Sequence, residues 1–225
     1  MTSDVFHDRR AAGRELARLL TAYAGQRLVT VLALPRGGVP VGYEVALLLH
    51  VPLDVLVVRK LGAPGHEEYA MGALARGVRV LDDEVVQRLG VSDAAIERAT
   101  HAGQQELERR ERLYGVGVSG GGHPLPALCG RTVIVADDGL ATGSTMRAAV
   151  KALRAQGATR IVVAVPVGAQ APCEALRGMA DEVVCVKTPS SFRAVSQWYE
   201  DYSQTSDEEV CALLELARNR VAPST

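Results

Sequence analysis

The sequence predicts an α/β protein: a mostly parallel sheet flanked by helices on both faces, with a small hood segment near the C-terminus. Three observations predict it. Apolar runs rich in β-branched residues recur at Leu28–Leu34, Leu53–Val58, Thr132–Ala136, Ile161–Val165 and Glu182–Val186, as strands buried on both faces require. Most of these runs are followed by a turn of small residues and then a helical pattern, the alternation that builds parallel sheets. The 225 residues are 48% hydrophobic and 23% charged, which supplies a buried core and leaves little reason for disorder.

The elements follow in order. Arg9 to Tyr23 has helical spacing, with Leu16, Leu19, Leu20 and Tyr23 on one face. Pro35-Arg36-Gly37-Gly38 is a loop after the first strand, and Pro40–Leu49 is a helix with Pro at its start. From Arg59 to Ala70 (RKLGAPGHEEYA) apolar periodicity is lost and Gly, Pro and charge appear. That reads as a long loop, and long loops in compact domains tend to carry function. Val78–Leu81 is a short strand. Ser92 N-caps a helix to Tyr114 with a thin apolar face of Ile96, Ala99 and Leu107, so residues 82–114 form a helical insertion. A linker covers 115–130. A helix from Thr145 to Gln156 stops at Gly157, a short helix spans Cys173–Met179, and 187–225 form a hood and tail. One domain is expected across 1–225.

Composition excludes several classes. A net charge of −1 argues against nucleic acid or a membrane surface as partner. Cys129, Cys173, Cys185 and Cys211 lack CxxC spacing, so neither zinc nor a disulfide framework is implied. No signal-type segment and no run of 18 apolar residues is found, so a soluble cytoplasmic protein is expected. Gly115, Gly117 and Gly120 spell GxGxxG, and Ser119 sits in GxSxG, but neither lies on a strand–turn–helix. His66 to Ala70 lacks the second His of a zinc helix, and no GK[ST] follows the glycines of 139–145.

One motif holds. Residues 133–145 read VIVADDGLATGST: an apolar strand, two carboxylates, then a turn of small and hydroxyl residues opening a helix. Ligands of parallel sheets sit beyond the carboxyl ends of the strands. Unpaired N–H groups and the helix dipole at Thr142–Thr145 favour a phosphate, and Gly143 lets an oxyanion approach the backbone. Adjacent carboxylates suit a diol or a hydrated divalent cation. A phosphate one sugar-length from a vicinal diol is a ribose 5-phosphate.

This stretch resembles the phosphoribosyl-pyrophosphate (PRPP) motif of type I phosphoribosyltransferases. The resemblance implies that Asp137 and Asp138 contact the ribose hydroxyls and act in catalysis, with any Mg²⁺ contact indirect, through those hydroxyls or water. It implies that Ala141, Thr142, Gly143, Ser144 and Thr145 hold the 5-phosphate. Arg36, Gly37 and Gly38 resemble the family's pyrophosphate loop, whose peptide is often cis, and Arg59 and Lys60 resemble the basic start of its flexible loop. The chain as a whole looks like a bacterial group of stand-alone phosphoribosyltransferases.

The implied reaction transfers ribose 5-phosphate from PRPP to a nucleophilic, heteroaromatic acceptor with Mg²⁺ and release of pyrophosphate. The alternative is a non-catalytic PRPP- or nucleotide-binding regulator on the same fold. Lys60 and Glu68 are candidate catalytic residues, with His66 and Glu67 beside them. Trp198 and Tyr199 are candidates for stacking the acceptor, and a homodimer is compatible with the family. Two departures stand out. Gly139 replaces an aliphatic residue, which suggests a mobile turn. Ala141 replaces the aspartate of the hypoxanthine-guanine enzymes, which disfavours a 6-oxopurine.

Overall fold

The computed structural model describes residues 5–64, 66–116 and 128–221, without the side chains of 66–69 and 221. The chain runs α1 (Arg9–Leu19), β1 (Val29–Ala33), α2 (Gly38–Leu49), β2 (Leu53–Val55), β3 (Arg59–Ala63), β4 (His66–Ala75) and β5 (Val78–Leu81). It continues through α3 (Asp83–Arg88), α4 (Asp93–Leu113), β6 (Thr132–Ala136), α5 (Ser144–Ala155), β7 (Arg160–Val167), α6 (Gln170–Arg177), β8 (Glu182–Lys187) and α7 (Asp207–Val221).

Five strands form a parallel sheet in the order β2-β1-β6-β7-β8. Strict alternation along each strand sends side chains to two cores. Val31, Ile134 and Val162 face α1, α2 and α7, where Leu16 and Leu214 are buried. Leu32, Val133 and Val163 face α5 and α6, with Leu153 and Cys173. Each such side chain, fully buried, stabilises the fold by about 1.5–3 kcal/mol. Strand order reverses direction between β1 and β6. The carboxyl ends of those two strands therefore flank the crevice where open α/β sheets bind ligands.

Several expectations change. The predicted long loop 59–70 is β3 and the first half of β4, the arms of an antiparallel hairpin that pairs with β5. Gly62 sits at an irregularity in the β3–β4 register, which breaks the alternation visible in sequence. Leu61, Ala63, Met71 and Leu74 nonetheless bury one face against Ile96 of α4. The helical insertion contains an additional helix, α3, which Asp82 caps by accepting from the Val85 N–H. Ser92 does stand at the N-cap of α4, but its side chain makes no capping bond. Leu19 is 55% exposed rather than on the buried face, because α1 ends there and a separate 3₁₀ turn carries Tyr23. The C-terminal tail is also not all hood. Val210 and Leu214 of α7 are fully buried in the main core against α2. The GxGxxG and GxSxG matches, apart from Gly115, lie outside the described residues, as does most of the 115–130 linker. Among the described residues, no helix is long and apolar enough to cross a membrane.

Candidate active site

The loop after β1 and the acids after β6 meet at the switch point. The Leu34 N–H donates to the Ala136 carbonyl at 2.9 Å, extending the strand pairing to the point where the two chains diverge. Next comes the Pro35–Arg36 peptide, which is cis. Gly37 and Gly38 then pass against the acidic pair with no room for a side chain. A Cβ at Gly37 would overlap the Asp138 carboxylate, whose Cγ would be 2.7 Å away. A Cβ at Gly38 would fall 2.7 Å from the Ala136 carbonyl and 2.9 Å from Asp137 Cα. Gly37 has an ordinary right-handed backbone (φ −60°, ψ −29°). Space, not backbone freedom, demands glycine here.

The two aspartates are not equivalent. Asp138 is an anchor: its Oδ2 accepts from Arg9 Nε at 2.8 Å and from the Tyr202 hydroxyl at 3.0 Å. The ion pair is shielded, with side chains 11% and 13% exposed. Arg9 also donates to the Ser203 carbonyl at 2.6 Å and lies 4.0 Å from the Tyr202 ring centroid, a cation–π contact. Asp137 Oδ1 instead accepts the Asp138 N–H at 2.9 Å. Burial, followed by the charge of Asp138, pushes its carboxyl well above the usual range. Asp138 is thus held by a cation and a phenol, while Asp137 is a half-buried carboxylate with no paired cation among the described residues. Both carboxylates are half-buried at the strand end.

The turn from Asp138 to Ser144 leads into α5. Gly143 is its N-cap with φ 69°, a conformation that favours glycine. Thr142 Oγ1 and Ser144 Oγ lie 3.1 Å apart, and Ala141, Thr142 and Thr145 are exposed. Two cations close on this turn. Lys60 Nζ, at the start of the hairpin, is 3.3 Å from Ser144 Oγ. Arg147, one turn into α5, reaches back to donate to the Thr142 carbonyl at 2.8 Å. The Ser144 N–H is held loosely by Thr142 Oγ1 at 3.4 Å; with the other N–H groups of the first turn, three hydroxyls and two cations, this turn is suited to an anion.

The segment after β8 covers the turn. Val195 fills the space above Gly139, where a Cβ would come within 2.5 Å of Val195 Cγ1. The glycine is therefore a packing requirement, not a source of mobility. Tyr199 is 6% exposed and donates from its hydroxyl to the Asp138 carbonyl at 2.5 Å. Its ring packs between Phe6 and Tyr202, centroids 5.6 and 5.2 Å away. It supports the acidic turn and leaves little ring face for a ligand. Trp198 is half-buried beside Phe6 and Tyr199, its Nε1 buried without a partner among the described residues. We expect Trp198→Ala to lower the melting temperature by several degrees, from a loss of about 2 kcal/mol. An unchanged melting curve would return Trp198 to the role of an exposed stacking platform.

Arg36 lines a polar cavity of about 280 Å³ with Arg109, Arg110, Leu113, Tyr114 and Asp207, on the α4 and α7 side of its loop. A larger cavity of about 540 Å³ lies between α2, the start of β2 and α7, at the amino end of the sheet and away from the acids. Arg59 and Lys60 begin β3 and are exposed. Glu68 lies on β4, and its side chain, like those of His66 and Glu67, is outside the described residues. Arg9 and Arg147 join the site without having been read in the sequence, and Tyr202, one of the aromatics concentrated after the last core strand, joins it as a support of Asp138. Arg9 is 129 residues from Asp138 and no local pattern joins them, although Arg147 on the first turns of a phosphate-type helix was discoverable.

Fold and site together define an α/β protein with a crevice at the carboxyl edge of its parallel sheet, where a turn suited to an anion meets a pair of acids. The chain belongs to the phosphoribosyl transferase domain family, whose family model matches residues 3–203. Two curated proteins of Mycobacterium tuberculosis, from strains CDC 1551 / Oshkosh and ATCC 25618 / H37Rv, carry the name "Putative phosphoribosyl transferase". Each is 47% identical over 219 residues, 97% of this chain and 48% of theirs. The chain thus spans about half the length of the curated relatives it matches. Among solved structures, the protein TT1426 from Thermus thermophilus is 40% identical with a TM-score of 0.80, covering 93% of this chain and 97% of that one.

Proposed function

We propose that the protein transfers a ribose 5-phosphate group from PRPP to a nucleophilic heteroaromatic acceptor, releasing pyrophosphate. The observation that carries the reading is the meeting of Gly37 and Gly38 with Asp137 and Asp138 at the switch point, beside the anion cradle. Family membership supports the transferase class.

In this reading the amides of 141–145 and the hydroxyls of Thr142, Ser144 and Thr145 hold the 5-phosphate, with Lys60 and Arg147 neutralising it. Asp137 and Asp138 accept hydrogen bonds from the ribose hydroxyls. The amides of Arg36 and Gly37, with the Arg36 and Arg59 side chains, face the diphosphate, while the Gly38 N–H donates to the Leu34 carbonyl at 3.1 Å and holds the loop. The anomeric C–O bond breaks toward an oxocarbenium-like centre, the diphosphate leaves with the electron pair, and the acceptor's lone pair forms the new bond. Fixed phosphates and a covered crevice lower the barrier by orientation and exclusion of water. Glu68 is the proposed group to receive the acceptor's proton.

Among the described residues, no three His, Cys, Asp or Glu side chains converge as a metal cage. The carboxylate pair Asp137 and Asp138 fits Mg²⁺, which keeps waters and takes one or two carboxylates together with substrate oxygens. Asp137, a half-buried carboxylate with no paired cation among the described residues, is the residue that would face it, and Mg²⁺ when bound would supply charge neutralisation to the diphosphate.

Incubation with PRPP, Mg²⁺ and a panel of nucleobases, with pyrophosphate monitored, tests the reading. Acceptor-dependent release supports the enzyme. Saturable PRPP binding with no release for any acceptor supports the regulator, and no PRPP binding sinks both. Lys60→Ala should weaken PRPP binding about tenfold, or about 1.4 kcal/mol, with the melting temperature unchanged because the side chain is exposed. An unaltered affinity would remove the hairpin from the phosphate site.

A further inference from the structure

The first turn of α6 packs directly beneath the anion cradle. A Cβ on Gly143 would lie 3.2 Å from Pro172 Cβ. Leu140 of the same turn is bridged to Gly168: its N–H donates to the Val167 carbonyl and its carbonyl accepts from Ala169, both at 2.9 Å. Around Gly168 two sulfurs converge. A Cβ there would lie 2.6 Å from Cys173 Sγ on α6, 3.5 Å from Cys185 Sγ on β8 and 3.1 Å from Leu140 Cβ. One residue thus touches both thiols and the cradle. Cys173 is fully buried and Cys185 is partly exposed.

The two thiols differ chemically. Cys185 Sγ lies 3.1 Å from the Lys187 carbonyl, to which its S–H donates. The neighbouring Cys173 side chain, with Thr188 and against burial, draws the Cys185 thiol down to about 7, while Cys173, beside Cys185 and buried, is pushed up. A partly exposed, readily ionised thiol beside a buried one has the arrangement of an attacking and a resolving cysteine.

We propose that Cys173 and Cys185 form a peroxide-sensitive dithiol whose oxidation disturbs the phosphate cradle. A hydroperoxide supplies the oxidant. The Cys185 thiolate attacks its terminal oxygen, the O–O bond breaks, and Cys185 becomes a sulfenic acid while water or an alcohol leaves. Cys173 then attacks the Cys185 sulfur, the S–O bond breaks, water leaves with the thiol proton, and the disulfide forms. Bonding distance for two sulfurs is about 2 Å. Closing to it draws α6 toward β8, and with it Pro172 away from Gly143 and the Gly168–Leu140 bridge out of register. The effect on ligand affinity rests on the phosphoribosyl reading; the dithiol chemistry does not.

The test treats the whole protein with stoichiometric hydrogen peroxide at neutral pH, then measures intact mass, mapped peptides, hydrogen exchange over 139–146 and PRPP affinity. The expected result is loss of two hydrogens, a Cys173–Cys185 cross-linked peptide, faster exchange in the turn and PRPP affinity reduced about tenfold. Dithiothreitol should restore all of them. Cys173→Ser should instead gain oxygen on Cys185 without a cross-link. Oxygen added to Cys185 in the unmutated chain without a cross-link overturns the proposal, as does a cross-link that leaves exchange and affinity unchanged. If the reduced protein does not bind PRPP, the functional reading falls, and exchange over 139–146 alone decides this one.

Discussion

Asp137→Asn is expected to raise the melting temperature of the ligand-free protein at neutral pH while removing PRPP binding. Burial and the adjacent Asp138 charge raise the Asp137 carboxyl in the folded chain. In the unfolded chain it titrates near 3.9. As pH rises from about 4, the unfolded state gives up this proton before the folded state does, so stability falls until the raised folded value is passed. Above that value the whole penalty is present, and asparagine escapes it while still accepting the Asp138 N–H through its carbonyl oxygen. The advantage of Asn over Asp should therefore be smallest near pH 4 and grow toward pH 8. Asp138→Asn should do the opposite. It strips the charge from a partner of Arg9 in a shielded pair, which costs about 2–4 kcal/mol and about 5–12 °C of melting temperature for a chain of this size. Melting curves of both variants from pH 4 to pH 8 measure the asymmetry. Equal behaviour of the two, in either direction, would contradict the assignment of one as anchor and the other as strained ligand group.

The second large effect is expected from Gly37→Ala. One methyl group at this position would overlap the Asp138 carboxylate and crowd Arg9 Nε at 3.2 Å. Neither is the loose end of a flexible chain, since each holds the other. The loop must lift from the acids, so the amides of Arg36 and Gly37 lose their aim and the Gly38 N–H bond to the Leu34 carbonyl is strained. We expect PRPP affinity to fall about a hundredfold or more, near 2.7 kcal/mol, with a stability loss of about 1–3 kcal/mol from overpacking. Calorimetric titration and a melting curve on the same sample check both. Wild-type affinity in this variant would mean that the loop does not face the ligand.

The parts of the fold that were legible in sequence share a cause. Each of the five main strands is a short apolar run with a helix or turn signal after it, and Thr132–Ala136 has the same bounds in sequence and structure. The carboxylates and hydroxyls of 137–145 were legible because strand end, acids and helix start lie within thirteen residues. What was hidden depends on distance or on missing alternation. The β3–β4 hairpin reads as a loop because Gly62, Pro64 and a run of charge interrupt it, although Leu61, Ala63 and Met71 are buried. The Arg9–Asp138–Tyr202 network joins three remote segments. Tyr199 reads as a platform for a ligand because aromatics are rare in this chain. Its presence instead reflects a structural duty, holding the backbone of Asp138 through its hydroxyl.

Titration of the wild-type protein with PRPP in the presence of Mg²⁺ tests the central claim most directly. The account predicts saturable binding at one site per chain, abolished by Asp137→Asn in a protein that melts no lower than wild type. Absence of binding, or binding that Asp137→Asn leaves intact, would contradict it.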